Sequence, residues 1–204
     1  MPDHGAARRA LRTFAATVLV TLGAAAPAAA QTVEISGSDS RNCWVASNGV
    51  TEFEDCNSAY IGQSGAYEFR GLLWFDIAAY VPDTALVTDA YLKLPLGGYD
   101  EEDVCGSGLH LRAQSADWLT QTPTWTTPDG TTLWDGGSST WSHISHYAST
   151  CDESGVIFDL TGPVGDLAAN PEYNLGWSLV NGDGTQFAVS NNWGAIPQLF
   201  VSYE

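Results

Sequence analysis

The sequence predicts an all-β protein, a sandwich or a barrel built from many short strands. Short apolar segments recur between clusters of Gly, Asn, Asp and Pro, which are typical turn residues. The most apolar of these segments, Phe69–Ile77, is rich in aromatic residues and too short for an ordinary helix. Its order of an aromatic residue, Asp and an aliphatic residue returns in Val156–Thr161. We therefore expect two buried core strands at these places.

The first 30 residues predict an export signal. Three arginines precede an apolar stretch, Phe14–Ala26, and a small-residue cleavage site, Ala28–Ala30. The apolar stretch is short for a membrane span. We expect cleavage after Ala30 and secretion, with the periplasm and the cell surface as alternative destinations; Arg8-Arg9 also resembles a twin-arginine signal. Residues 31–204 then form a single domain, because no linker divides them.

Within residues 31–204, alternation of apolar and polar side chains predicts strands with one face in the core and the other in solvent. One short helical turn is predicted at Val164–Ala169, after Thr161-Gly162-Pro163. The predicted strands are Val33–Ile35, Cys43–Ala46, Ser58–Gly62, Phe69–Ile77, Val87–Leu96, Leu109–Ala113, Val156–Leu160, Leu175–Val180, Thr185–Ser190 and Gln198–Tyr203.

The chain is strongly acidic. Three of the seven Lys and Arg residues and one of the 24 Asp and Glu residues lie in residues 1–30, so the remaining 174 residues carry a formal net charge of −19. Such a charge repels phosphate backbones and anionic lipid, which excludes nucleic acid as a partner and disfavours free polyanions. A polysaccharide partner should therefore be neutral or bridged by a divalent cation.

All four cysteines follow the signal, and an even number in an exported chain predicts two disulfides. Four cysteines allow three connectivities. We favour Cys43–Cys56, which closes an acidic loop, and Cys105–Cys151, which ties two loops that precede strands. No C-x-x-C spacing is present, so a zinc ribbon is not expected.

The order of several motifs resembles that of the DNRLRE domains, secreted β-sandwich modules allied to carbohydrate-binding modules. The resemblance implies an antiparallel jelly-roll β-sandwich with a non-catalytic, glycan-binding or cell-surface role. This chain departs from the pattern by its four cysteines, by an acidic insert at Tyr99–Gly108 and by the long stretch Pro128–His146. The motifs that carry the resemblance are Ser58–Gly62, Arg70–Ile77, Val87–Leu94, Asp117–Leu119, Thr124–Thr126, Val156–Thr161, Asn174–Leu179 and Pro197–Tyr203.

Tryptophans and one arginine are the candidate ligand-binding residues. Trp134, Trp141 and Trp193 lie in segments rich in Gly, Ser, Thr or Asn, where exposed rings can stack on sugar C–H groups. The alternative is that these rings cover the ends of the core. For Trp118 and Trp125 we favour a core position. Trp44, Trp74 and Trp177 lie within predicted strands and are expected to be structural.

Arg70 is one of four cations after the signal, and it stands in the most apolar strand. This position indicates either a buried carboxylate partner or a role in ligand binding.

An acidic loop predicts a calcium site. Asp100, Glu101, Glu102 and Asp103 place four carboxylates in one loop, and hard cations prefer such oxygen ligands. The spacing does not match an EF-hand, and a solvated acidic loop is the alternative reading. Calcium is the only cofactor that the sequence suggests.

The sequence favours a secreted, non-catalytic protein that binds a polysaccharide or a cell-surface glycan through loop tryptophans. A structural, cell-surface or extracellular-matrix protein without sugar binding is the alternative. A polysaccharide-degrading enzyme is disfavoured, because His143 and His146 lack the H-E-x-x-H pattern and no G-x-S-x-G motif is present.

Overall fold

The computed structural model describes residues 29–52, 56, 61–64, 66–95, 109–114, 116–119, 123–128, 145–147, 150–152, 155–181 and 197–204. These residues form mainly β-structure with one short α-helix, α1, at Thr161–Ala169. The strands are β1 (Gln31–Ile35), β2 (Ser40–Ala46), β3 (Thr51–Glu52), β4 (Gly62–Ser64), β5 (Tyr67–Phe75), β6 (Val87–Leu94), β7 (Leu109–Ala113), β8 (Ser145–Tyr147), β9 (Thr150–Asp152), β10 (Gly155–Asp159), β11 (Trp177–Asn181) and β12 (Gln198–Tyr203).

The strands form two antiparallel sheets. The first sheet has the order β1-β12-β6-β10-β9, and the second has the order β3-β2-β5-β11-β7-β8. Strand β5 is long enough to pair with both β4 and β11 on the same side, through different residues. The predicted β-sandwich is confirmed.

From β5 onward the chain passes repeatedly between the two sheets. Strand β5 lies in the second sheet, β6 in the first, β7 and β8 in the second, β9 and β10 in the first, β11 in the second and β12 in the first. A jelly roll has this kind of alternation. The jelly-roll connectivity itself stays a prediction, since several of the connections lie outside the described residues.

One apolar core fills the space between the sheets. Leu92 and Phe158 from the first sheet pack in the same buried cluster as Phe75 and Trp177 from the second. The rings of Phe75 and Trp177 are tilted with centroids 6.3 Å apart. Both sheets contribute every second residue to this cluster, as expected for strands with one face in a core.

The central strand ends earlier than the sequence predicts. Strand β5 stops at Phe75, and Ile77–Ala79 form a 3-10 turn instead of continuing the strand. The Asp76 carboxylate accepts a hydrogen bond from the Ala79 backbone N–H at 3.3 Å, which caps the turn. Ile77 nevertheless remains buried in the core, so its apolar character reflects burial rather than strand geometry.

The helix begins earlier than predicted, at Thr161 instead of Val164. Pro163 is tolerated because it lies in the first turn, where a backbone N–H has no intrahelical acceptor. Val164 and Ala168, four residues apart, face the core from one side of the helix.

Other predicted strands agree to different degrees. Leu109–Ala113 and Gln198–Tyr203 are confirmed to the residue, while β10 and β11 are displaced by one or two residues from Val156–Leu160 and Leu175–Val180. The strands β3, β8 and β9 were not predicted. In the predicted strand Ser58–Gly62 only Gly62 is described as a strand residue; residues 57–60, and all of Thr185–Ser190, lie outside the described residues.

In the described part of the chain, no helix is both long and apolar enough to cross a membrane.

Candidate binding face

The face of the second sheet that points away from the main core carries charged and aromatic side chains around a buried centre that includes Cys43, Val45, Leu72 and Ser178. Directly opposed residues of antiparallel strands project to the same face, so the register fixes its members. We call this surface the arginine face. Its members on β2, β5, β11 and β7 are Arg41, Cys43, Val45, Arg70, Leu72, Trp74, Ser178, Val180, His110 and Arg112.

Three of the four cations that follow residue 30 lie on the arginine face. Arg41 lies opposite Trp74, Arg70 opposite Val45, and Arg112 opposite Ser178. The fourth cation, Lys93, stands between the buried residues of β6 and faces outward from the first sheet. In a chain with a large excess of carboxylates, this places most of the positive charge on one surface.

Arg70 lies at the centre of the arginine face and stacks on an aromatic ring. Its guanidinium carbon is 3.9 Å from the centroid of the Trp125 ring, a close cation–π contact. Its side chain is 17% exposed, and Nη2 is 3.7 Å from Oε1 of Glu68. Glu68 is 54% exposed, so it is not the buried carboxylate partner that the sequence suggested.

The surroundings of Arg70 lower its pKa. Burial lowers its pKa to about 10; Glu68 acts in the opposite direction, and the positive charge of Arg112 lowers the pKa further. The guanidinium remains protonated at neutral pH. The positive charge of Arg112 on β7 thus acts on Arg70 on β5 across the intervening strand β11.

A tight turn presents Trp125 to Arg70. The backbone N–H of Thr124 donates to the Thr127 carbonyl at 2.7 Å, and Thr127 N–H donates back to Oγ1 of Thr124 at 3.1 Å. Thr126 N–H also approaches Oγ1 of Thr124, at 3.4 Å. Ser and Thr hydroxyls commonly close turns in this way, because they accept from backbone groups two or three residues on. Trp125 is therefore held at a defined position while remaining partly exposed.

Two other tryptophans fix the backbone beside the arginine face. Trp118 is fully buried, and its indole N–H donates to the Leu175 carbonyl at 2.7 Å. Trp74 donates in the same way to the preceding carbonyl, of Asn174, at 3.2 Å. Arg41 also hydrogen-bonds the Leu119 carbonyl through Nη1. These contacts tie the segments before β11 and around Trp118 to the second sheet.

Cys43 and Cys56 form a disulfide on this face, as predicted. Cys43 is buried with Val45, Leu72 and Trp118 in a second, smaller apolar cluster. Cys56 has a positive φ of 43°, which is unusual for a residue other than glycine. The backbone N–H of Asn42 donates to the Cys56 carbonyl at 3.0 Å, so two contacts hold Cys56 in this conformation.

The predicted site residues divide into those that the structure places and those outside its described part. Arg70, Cys43 and Cys56 are placed together around one face. Cys151 lies in β9, whose side chains are not described. The candidates outside the described residues are Trp134, Trp141, Trp193, Asp100, Glu101, Glu102, Asp103 and Cys105. Among described residues, no group of three or more His, Cys, Asp or Glu side chains could hold a metal ion.

Sequence reasoning missed Arg112, His110 and Ser178 as neighbours of Arg70. They lie on β7 and β11, and only the register of the sheet brings them to the arginine face. The alternation in Leu109–Ala113 did indicate that His110 and Arg112 share a face, but not which sheet they would join. For Trp118 the favoured core position is correct, whereas Trp125 packs at the rim of the smaller cluster.

Comparison with family models and with curated proteins finds no match for this chain.

Proposed function

We propose that the protein is an exported, non-catalytic glycan-binding module and that the arginine face is its binding surface. The observation that carries this proposal is the partly exposed Trp125 ring, held by a tight turn and packed against the guanidinium of Arg70. Aromatic rings stack on the apolar faces of sugars, and guanidinium and imidazole groups hydrogen-bond sugar hydroxyls.

Two further features support the proposal. A disulfide is typical of a chain that folds in an oxidising compartment, in agreement with an export signal in residues 1–30. A rigid two-sheet scaffold with side chains held on an outward face suits recognition, because little side-chain entropy is lost on binding. In this proposal the DNRLRE resemblance gives the family, and Trp134, Trp141 and Trp193 remain candidates for stacking on sugar.

A structural or cell-surface role without sugar binding is the second candidate. It is favoured by Trp118 and Trp74, whose indole N–H groups bond backbone carbonyls and thus serve the fold. If Trp125 has the same role, its contact with Arg70 holds a loop and recognises nothing.

Binding to a panel of insoluble polysaccharides distinguishes the two candidates. We expect the parent protein to bind at least one glycan and Trp125→Ala to weaken that binding by about tenfold or more, because a central aromatic contact is lost. Tyr173→Ala is the control, since Tyr173 is 68% exposed and outside the arginine face. Its binding should equal that of the parent.

The triple substitution of Trp134, Trp141 and Trp193 by Ala tests the loop tryptophans separately. Weaker binding with an unchanged melting temperature supports their place in the surface. If the parent binds no member of the panel, the structural role replaces the glycan-binding one.

A further inference from the structure

The Cys43–Cys56 disulfide lies outside the main core of the sandwich. Cys43 belongs to the smaller apolar cluster, whereas the residues that fill the space between the two sheets belong to the larger one. Strand β2 is held on β5 by seven residue pairs, which run on both sides of Cys43. Breaking the disulfide therefore leaves the main core and this strand pair in place.

The two sulfurs of the disulfide differ in their access to solvent. Cys43 is completely buried, whereas Cys56 is partly exposed. In thiol–disulfide exchange a thiolate attacks one sulfur and the other sulfur departs as a thiolate. A reductant is therefore directed to Cys56, and Cys43 is the leaving group.

Two arginines lie near Cys43. Arg41 is two residues away on the same strand and the same face, a distance of about 7 Å. Arg70 is a diagonal neighbour on β5, since Cys43 pairs with Leu72, and such neighbours are about 7–8 Å apart. Glu68 acts in the opposite sense, but it lies two residues farther along β5. Nearby cations stabilise a cysteine thiolate, so Cys43 should leave readily.

The backbone of Cys56 also favours the reduced form. Its φ of 43° costs free energy in any residue other than glycine. The disulfide is one of the contacts that hold this conformation, and the hydrogen bond from the Asn42 N–H is another. Reduction removes the covalent contact, so the backbone at Cys56 can relax.

A movement of Cys56 changes the surroundings of Trp125. Both residues pack at the edge of the smaller apolar cluster, together with Leu119. The ring of Trp125 stacks on Arg70, so its position depends on this cluster as well as on the Thr124–Thr127 turn. Opening the disulfide should therefore displace Trp125.

We propose that the Cys43–Cys56 disulfide is a redox switch for Trp125 that a dithiol reductant opens. A thiolate of the reductant attacks the Cys56 sulfur, the S–S bond breaks, and Cys43 leaves as a thiolate. The second thiol of the reductant then attacks the mixed disulfide and releases Cys56. Two electrons and two protons pass to the protein, and the dithiol becomes a disulfide. The sandwich stays folded while Trp125 separates from Arg70.

The test treats the full chain with dithiothreitol at pH 7 without denaturant. Alkylation and mass spectrometry follow Cys43 and Cys56 separately from Cys105 and Cys151. We expect complete reduction of Cys43–Cys56, with the circular dichroism of a β-protein and cooperative urea unfolding retained. Tryptophan emission should move to longer wavelength, and Trp125→Phe, reduced in the same way, should lack this shift.

Variants test the role of the cations. Arg41→Gln should slow the reduction by about threefold or more, because the departing Cys43 thiolate loses a neighbouring positive charge. Arg41→Lys keeps the charge and should restore most of the rate. Lys93→Gln makes the same change of net charge on the other sheet and should react at the rate of the parent.

Several outcomes would overturn the inference. They are a disulfide that is reduced only in denaturant, a fold that is lost together with the disulfide, and an emission shift that Trp125→Phe retains. A parent-like rate in Arg41→Gln overturns it too, because the cations would then not assist the departure of Cys43. No polysaccharide enters the experiment, so its result is independent of whether the proposed glycan binding holds.

Discussion

At the scale of single residues, Tyr80 joins two short turns that precede and follow strands of the second sheet. Its hydroxyl donates to Oδ2 of Asp39 at 2.6 Å, and the backbone N–H of Asp76 donates to the Asp39 carbonyl at 2.9 Å. The hydrogen bond to Asp39 raises the pKa of Tyr80 above its usual value near 10, and the charges of Asp39 and Asp76 act in the same direction.

A raised pKa means that folded Tyr80 keeps its proton at a pH where the unfolded chain has lost it. The stabilisation is therefore complete below about pH 10 and is lost as the pH rises through the folded pKa. We expect Tyr80→Phe to be less stable than the parent at pH 7 and to lose less stability between pH 9 and pH 11. Urea unfolding over this pH series measures both effects.

Tyr173→Phe is the matched control for that series, because Tyr173 is exposed. Burial lowers the pKa of Arg70 to about 10, so the cost of burying its charge is relieved as the pH rises above that value, and stability changes in the opposite direction. The test is therefore the difference in unfolding free energy between the parent and Tyr80→Phe at each pH. Identical pH profiles for the parent and Tyr80→Phe would contradict the assignment.

The backbone conformation at position 176 requires glycine. Its φ is +76°, and a Cβ added there would lie 2.4 Å from the Leu73 carbonyl oxygen and 3.3 Å from the Trp118 ring. We expect Gly176→Ala to destabilise the protein by about 2 kcal/mol or more, since a strained backbone and a clash with a carbonyl combine. Gly165→Ala in α1, where the nearest contact is 3.7 Å, should instead stabilise by about 0.4–1 kcal/mol. Chemical denaturation compares them, and equal effects would rule out this explanation.

At the scale of elements, the disulfide connects β2 to the segment that follows β3. Breaking it removes a cross-link that restricts the unfolded chain, and it releases Cys56 from a conformation with positive φ. We expect the double variant Cys43→Ala, Cys56→Ala to lose about 2–4 kcal/mol of unfolding free energy, with the mechanism dependent on the model used. Guanidinium unfolding without reductant measures the loss.

Peptide mapping under non-reducing conditions accompanies that measurement. It should yield the Cys43–Cys56 pair and, as the sequence predicts, a Cys105–Cys151 pair. A double variant as stable as the parent would show that the cross-link is dispensable for the fold.

Elements with strict alternation were predictable, and very short ones were not. In Leu109–Ala113 and Gln198–Tyr203 the residue types themselves mark the inner and outer faces, so local sequence is sufficient. A strand of two or three residues, such as β3, forms only where a neighbouring strand supplies hydrogen-bond partners. The local sequence does not indicate where that happens.

The candidate site was predictable in part for the same reason. Arg70 is conspicuous as a cation in an apolar strand, whereas its association with Arg112 depends on the register of three strands. The different environments of Trp118 and Trp125 likewise depend on which loop packs on the outward face.

At the scale of the whole molecule, the predicted calcium site at Asp100–Asp103 has a thermodynamic consequence. A cation that binds only the folded protein raises the melting temperature by mass action. We expect millimolar calcium to raise the melting temperature of the parent, and substitution of these four residues by Asn or Gln to abolish the rise. Magnesium is the control ion, because it requires a stricter octahedral geometry and loses its water ligands less readily than calcium, so it binds such a loop more weakly. An unchanged melting temperature of the parent would contradict the predicted calcium site.

The position of β12 between β1 and β6 governs the order in which the molecule can fold. Thr32 and Ser202 are hydrogen-bonded at 2.9 Å although 170 residues separate them. Until β12 is synthesised, β1 has no partner and β6 lacks one of its two neighbours among the described strands. Closing so large a loop costs chain entropy before stabilising contacts between the strands can form. Folding should therefore be slow, in milliseconds to seconds. A nascent chain without β12 would have an incomplete first sheet with open edges, and it would be prone to association during that interval.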